Sequence, residues 1–180
     1  GCTSPAGNTT VVINPIPATP TASDNSPLCE GATLNLITPF VAGATYSWTG
    51  PNAFSPSVQN PSIAGITLAN AGVYSVTVTV SGCTSAGGNT TVVINPIPAT
   101  PAAVNNGPLC EGATLNLTTP VVGGATYNWT GPNAFTSALQ NPSIAGVTSA
   151  NAGVYSVTVT VSGCTSAAGN TTVVINAIPS

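Results

Sequence analysis

The run GVYSVTVTVSG starts at Gly72 and again at Gly153, and it constrains the chain more than any other stretch. Its apolar positions fall on every second residue: Tyr74, Val76, Val78 and Val80 on one side, Ser75, Thr77 and Thr79 on the other. A period of two over that length specifies a strand with one buried and one wet face. Such a face must be covered by a second sheet. The rest of the chain repeats in step with it. Residues 19–99 align with residues 100–180 without a gap, 17 of the 81 positions differing, and Cys2, Cys83 and Cys164 mark the same spacing. The division expected is therefore a terminal strand of a preceding repeat plus a Pro-rich linker over 1–18, a first unit over 19–99 and a second over 100–180.

Within a unit the other segments carry the same signal. ATLNLIT from Ala32 sets Leu34 and Leu36 on one face, and ATYSWTG from Ala44 sets Tyr46 and Trp48 on one face. Clusters of Gly, Pro, Asn and Ser separate these runs, and no helical period of apolar residues is present, which predicts an all-β sandwich. An 81-residue unit buries only about 60% of its unfolded surface, so covalent staples or neighbours add usefully to its core. Between units runs NPIPATP. Its alternate prolines (Pro15, Pro17 and Pro20, then Pro96, Pro98 and Pro101) favour extended polyproline II geometry and predict a semi-rigid junction.

The charge inventory narrows function. There is no Lys, Arg or His, and the acids are Asp24, Glu30 and Glu111. Neutralising phosphates needs Lys or Arg, so nucleic acid is excluded as a partner, and electrostatic binding to anionic lipid fails likewise. No apolar stretch is long enough to span a membrane. General acid–base and nucleophilic catalysis need convergent titratable groups, whereas Glu30 and Glu111 occupy equivalent turns of different units. The expectation is no enzyme, no cofactor and no metal, since Ca²⁺ alone wants six to eight oxygen ligands together. Five cysteines without a C-x-x-C pair read as disulfide partners in an oxidising, extracellular or cell-surface compartment. Without Lys, side-chain isopeptide links cannot form, and cystine is the covalent staple left.

Ile63, Ile66, Asn70, Gly72 and Tyr74 resemble the corner between strands E and F of immunoglobulin-like domains, and Trp48 falls at the buried strand C tryptophan; Ile144, Val147, Asn151, Gly153, Tyr155 and Trp129 repeat the pattern. The resemblance implies tandem immunoglobulin-like sandwiches in an end-to-end array, with Trp48, Tyr74, Trp129 and Tyr155 in the core rather than forming a sugar platform. Phe54 and Phe135 are better surface candidates, although a core-plugging role leads. The chain departs from the family at Val76 and Thr38, which stand where the inter-sheet disulfide is usual, and at Asn70, where Asp is usual. More narrowly, CEGATLNL, YSWTGPNAF, QNPSI and NAGVYSVTVTVSGCTS resemble the immunoglobulin-like or PKD-like repeats of very large secreted surface proteins of the Bacteroidetes type. That implies an extracellular filament or adhesin stalk.

In such a sandwich Cys29 precedes strand B at one pole and Cys83 follows strand F at the other. Strands of about seven residues put more than about 20 Å between the poles, beyond the reach of a disulfide. End-to-end stacking favours Cys29 with Cys164, leaving Cys110 to a later unit and Cys2 and Cys83 to earlier ones. Cys29 with Cys83 and Cys110 with Cys164 is the alternative, and the sequence leaves the choice open. The lone strand in residues 1–14 needs a host sheet, which is either an earlier repeat of a longer chain or a neighbouring chain accepting it by strand addition. Further copies of the repeat are thus the expected partners. The runner-up function is an adhesion module that binds glycan or a cell-surface protein through exposed loops. Sequons at Asn8, Asn89, Asn116, Asn128 and Asn170, with the Thr-rich outer face, are candidate glycosylation sites.

Overall fold

The computed structural model describes residues 1–179. It divides into two compact units, Gly1–Ile94 and Asn95–Ser180. The break falls ahead of the second Pro-rich segment, so that segment groups with the unit that follows it.

In the first unit the strands are β1 (Ser23–Asp24), β2 (Leu28–Cys29), β3 (Leu34–Ile37), β4 (Thr45–Thr49), β5 (Ser62–Ile63), β6 (Gly72–Val80), β7 (Cys83–Thr84), β8 (Gly88–Val92) and β9 (Ile94–Asn95). One sheet has the order β1-β3-β5; the other is built on β6, which pairs with β4, β7 and β8. The small pair β2-β9 closes one end, with the Leu28 N–H donating to the Val93 carbonyl. The alternation read from the sequence holds: Leu34 and Leu36 of one sheet meet Trp48, Tyr74, Val76 and Val78 of the other, each at most 1% exposed. Register sets Trp48 opposite Val76 and Tyr46 opposite Val78. Those pairs fill the inter-sheet space that a cystine would otherwise cross.

Three local devices fix this core. The Tyr74 hydroxyl donates to the Asn70 carbonyl at 2.9 Å, anchoring the 3-10 turn Leu68–Asn70 to the strand it precedes. The Trp48 Nε1–H donates to the Gln59 carbonyl at 3.0 Å, while the Gln59 side chain donates to the Thr38 carbonyl and Asn60 Oδ1 accepts the Thr38 N–H. The QNP loop thus satisfies the end of β3 and the indole together, as buried polar groups require. A Cβ at Gly50 would fall inside the Tyr74 ring, so only glycine lets the ring close over that backbone.

The second unit repeats the plan with β10 (Val104–Asn105), β11 (Leu109–Cys110), β12 (Leu115–Thr118), β13 (Thr126–Gly131), β14 (Phe135–Ser137), β15 (Ser143–Ile144), β16 (Gly153–Val161), β17 (Cys164–Thr165), β18 (Gly169–Val173) and β19 (Ile175–Asn176). Trp129 and Tyr155 are fully buried and keep the same bonds, to Gln140 and Asn151. The extra strand β14 pairs Phe135, Thr136 and Ser137 with β13. In the first unit this pairing shrinks to an isolated bridge between Gly50 and Phe54, and Pro56 stands where the second unit has Ser137. Proline has no N–H to give the ladder.

Residues 1–22 hold no strand. Val11, Val12 and Ile13, expected in a strand, are 78%, 77% and 88% exposed. The edge of β6 where such a strand would pair is already filled by β8.

Thr38 and Thr119 each bury a hydroxyl oxygen that has no hydrogen-bond partner. Desolvating a hydroxyl without a partner costs stability, and a methyl of similar shape removes that cost. Thr38→Val is expected to raise unfolding free energy by about 1 kcal/mol, read by chemical denaturation of the full chain.

Candidate functional site

With no convergent titratable cluster in the sequence, the unit ends and their cysteines are the features left to describe. Among the described residues Cys29 and Cys164 are disulfide-bonded, whereas Cys2, Cys83 and Cys110 are free thiols. Neither within-unit pairing of the alternative scheme is therefore present, because each needs Cys83 or Cys110.

Cys83 and Cys164 sit just past the same hairpin tip. At Ser81 and Gly82 φ is +50° and +80°, and at Ser162 and Gly163 +48° and +82°. Two consecutive left-handed residues make the tight turn whose twist matches the flanking strands. The tip is gripped by an asparagine from the preceding segment. Asn14 Nδ2 donates to the Ser81 carbonyl at 3.1 Å, and Asn95 Nδ2 donates to the Ser162 carbonyl at 3.1 Å. The Asn14 carbonyl accepts the Cys83 thiol at 3.5 Å, and the Asn95 carbonyl lies 3.8 Å from Cys164 Sγ. In the first unit Pro15, Pro17 and Ala18 then face Val41, Ala42, Val78 and Val80 across an apolar groove of about 280 Å³. The one sequence signal for these asparagines is their place before proline, which favours an extended backbone.

The other cysteine seat lies at the opposite end of the repeat. In the second unit β11 runs parallel to β19, Leu109 opposite Ile175 and Cys110 opposite Asn176. Cys29 holds the equivalent place in β2.

The acids serve the frame. Glu30 Oε1 accepts the Leu68 N–H at 3.4 Å and Glu111 Oε1 the Ser149 N–H at 3.0 Å, each at the start of a 3-10 turn. Asp24 accepts the Ser26 N–H at 2.7 Å and the Thr90 hydroxyl. Burial pushes its pKa up, but the bonds from Ser26 and Thr90 outweigh that and hold it below the usual carboxylate value. The second unit has Asn105 here, which donates to the Thr171 hydroxyl at 2.7 Å and accepts from the Gly107 N–H. The threonine hydroxyl reverses its role to suit its partner.

Phe54 and Phe135 are half-buried and meet Tyr74 and Tyr155 edge-on, with ring centroids 5.4 and 5.5 Å apart, so both belong to the core margin. Asn8, Asn89, Asn116, Asn128 and Asn170 are all exposed. Among the described residues no group of three potential metal ligands occurs, and no helix is long and apolar enough to cross a membrane.

No protein-family model matches the sequence, and no curated protein does either. Solved structures do. A chain of the crystal structure of mouse coronavirus receptor-binding domain complexed with its murine receptor aligns at 14% identity and TM-score 0.52, covering 88% of this chain and all of that one. Murine CEACAM1b aligns at 14% identity and TM-score 0.49 with the same coverage, and Drosophila OTK extracellular domains 3–5 at 15% and 0.48, covering 88% of this chain and 60% of that one. The chain is all-β and its units are immunoglobulin-like β-sandwiches in tandem.

Asp24 supplies a pH-dependent contrast. Its folded pKa lies below the unfolded value, so its contribution is complete above the ordinary carboxylate value of 3.8 and is lost as pH falls through the folded pKa. Acid titration of the thermal midpoint should show the first unit of the native chain weakening below that pH, and Asp24→Asn flattening that part of the curve.

Proposed function

We propose that this chain is a structural segment of an extracellular filament or adhesin stalk, in which Cys29 bonds Cys164 and the Pro-rich junctions limit bending. One observation carries the reading. Of two equivalent cysteines in β2 and β11, and two at the hairpin tips, only Cys29 and Cys164 are oxidised. That is the pattern of a staggered ladder, in which each repeat's β2-type cysteine bonds the tip cysteine of the repeat that follows. Cys110 is then the donor to a later repeat, and Cys83 and Cys2 answer earlier ones. Residues 8–14 repeat the NTTVVIN of residues 89–95 and 170–176, and their exposed Val11 and Ile13 match the buried Val92 and Ile94. They serve as the closing strand of another copy. The scarcity of side-chain charge, three acids and no base in 180 residues, supports a mechanical rather than a chemical role, and disulfide use supports an extracellular setting.

A binding role has one observation in its favour. The loop after β3 carries Phe40 at 75% exposure, and the corresponding loop of the second unit carries Val121 at 76%, an apolar tip of the kind an adhesion loop presents to a partner. Glycans on the exposed sequons would keep so uncharged a surface soluble.

Non-reducing peptide mapping tests the proposal. The chain lacks tryptic sites, so pepsin is the suitable protease, and its acid medium suppresses disulfide exchange because thiolate is scarce. A peptide pair joining Cys29 to Cys164 is expected; in material of three or more tandem repeats, Cys110 is expected joined to the next tip cysteine. Recovery of Cys29 joined to Cys83 would overturn the ladder.

A further inference from the structure

We infer that Asn95 is a positioning residue for the Cys164 disulfide: its side chain latches the segment entering the second unit onto the hairpin tip and so fixes where the Cys164 sulfur stands. The inference rests on the proposed Cys29–Cys164 pairing and adds what places one of its sulfurs.

The argument starts from the tip. The left-handed pair Ser162 and Gly163 presents the Ser162 carbonyl to the incoming segment, and Asn95 Nδ2 donates to it at 3.1 Å. Pro96 follows directly, which confines Asn95 to extended geometry and shortens the list of directions its side chain can take. With the side chain held, the Asn95 carbonyl comes to 3.8 Å from Cys164 Sγ, and the Ser162 carbonyl to 4.0 Å. Cys164 is fully buried there. Its sulfur therefore stands in one place, with two of its neighbours belonging to the latch.

The first unit shows the same grip without a disulfide. Asn14 bonds Ser81 at the same 3.1 Å, and Cys83, a free thiol, reaches the Asn14 carbonyl at 3.5 Å. The latch is thus formed whether the sulfur is oxidised or reduced, so it is not a by-product of the bond. A pre-formed seat raises the effective concentration of one thiol at its partner, and that favours the oxidised state. The residue chemistry is restrictive: aspartate has the shape of asparagine but only accepts, and would face the Ser162 carbonyl oxygen with no hydrogen to share.

The test compares redox poise in the full chain. Native protein and the variants Asn95→Asp and Asn95→Ala are equilibrated across glutathione buffers, quenched by alkylation, and scored for the Cys29–Cys164 peptide pair. Both variants are expected to need about a tenfold more oxidising ratio of glutathione disulfide to reduced glutathione squared, which corresponds to about 30 mV for the two-electron couple. Their reduced forms should keep the native thermal midpoint. Asn14→Asp changes the same group at a tip whose cysteine is free, and should leave the midpoint ratio unmoved. If the pair is present and both Asn95 variants match native protein, the latch has no positioning role. A shift of equal size in Asn14→Asp would also overturn it, by showing that added charge alone suffices. If the Cys29–Cys164 pair is missing from native protein, the ladder itself falls.

Discussion

Everything in each unit is hung on one long antiparallel pairing. In the first unit Gly72–Val80 pairs with β4 along one edge and β8 along the other, and Gly153–Val161 pairs with β13 and β18 in the second. Its inward residues meet Trp48 and the two leucines of β3 to form the core, and its outward residues make a polar face of serine and threonine. Burial of each large apolar side chain contributes about 1.5–3 kcal/mol. A nine-residue strand with partners along both edges also satisfies its own backbone. The short strands β1, β2, β5 and β9, two residues each, could not persist without it.

The substitution of Val76 and Thr38 at the usual inter-sheet cystine site shifts the covalent chemistry elsewhere. Inside the unit, the space is packed by Val76 and Trp48 and the polar ends are tied by Gln59 and Asn60. Cysteine is kept for the ends. Cys29 and Cys110 stand beside the closing strand, and Cys83 and Cys164 stand at the hairpin tip. A fold with valine and threonine at the usual cystine site keeps its interior stability in packing and carries its cysteines at the ends of the unit.

The parts legible in the sequence were those governed by local period and by a few large residues. Alternation in VYSVTVTV placed the central strand, Trp48 and Tyr74 marked the core, and the glycine-bearing tips gave the turns. Less legible were contacts that depend on which polar atoms meet after folding. Nothing in the string NPIP announces that Asn95 will bond the Ser162 carbonyl, because that partner is distant in sequence and its direction is set by the turn. The equivalence of Asp24 with Asn105 was similarly hidden, since a threonine hydroxyl can give or take a hydrogen bond. Val11 to Ile13 carry a strand-like pattern and stand exposed, the β6 edge that such a strand would take being filled by β8. A period specifies a face to be buried, but not whether an edge remains open for it.

The oxidised Cys29 and Cys164 carry a consequence for load. Bonded to each other as proposed, they divert tension applied at the two ends of the chain through a single S–S link, and residues 30–163 lie off the route the force takes. Strands β3 to β16 would then be spared direct pull while that link holds, whereas β1 and β2 and the strands β17 to β19 would stay on its route. A tether assembled this way would lengthen little when stretched, and its yield point would follow the redox state of its surroundings more than the stability of any sheet.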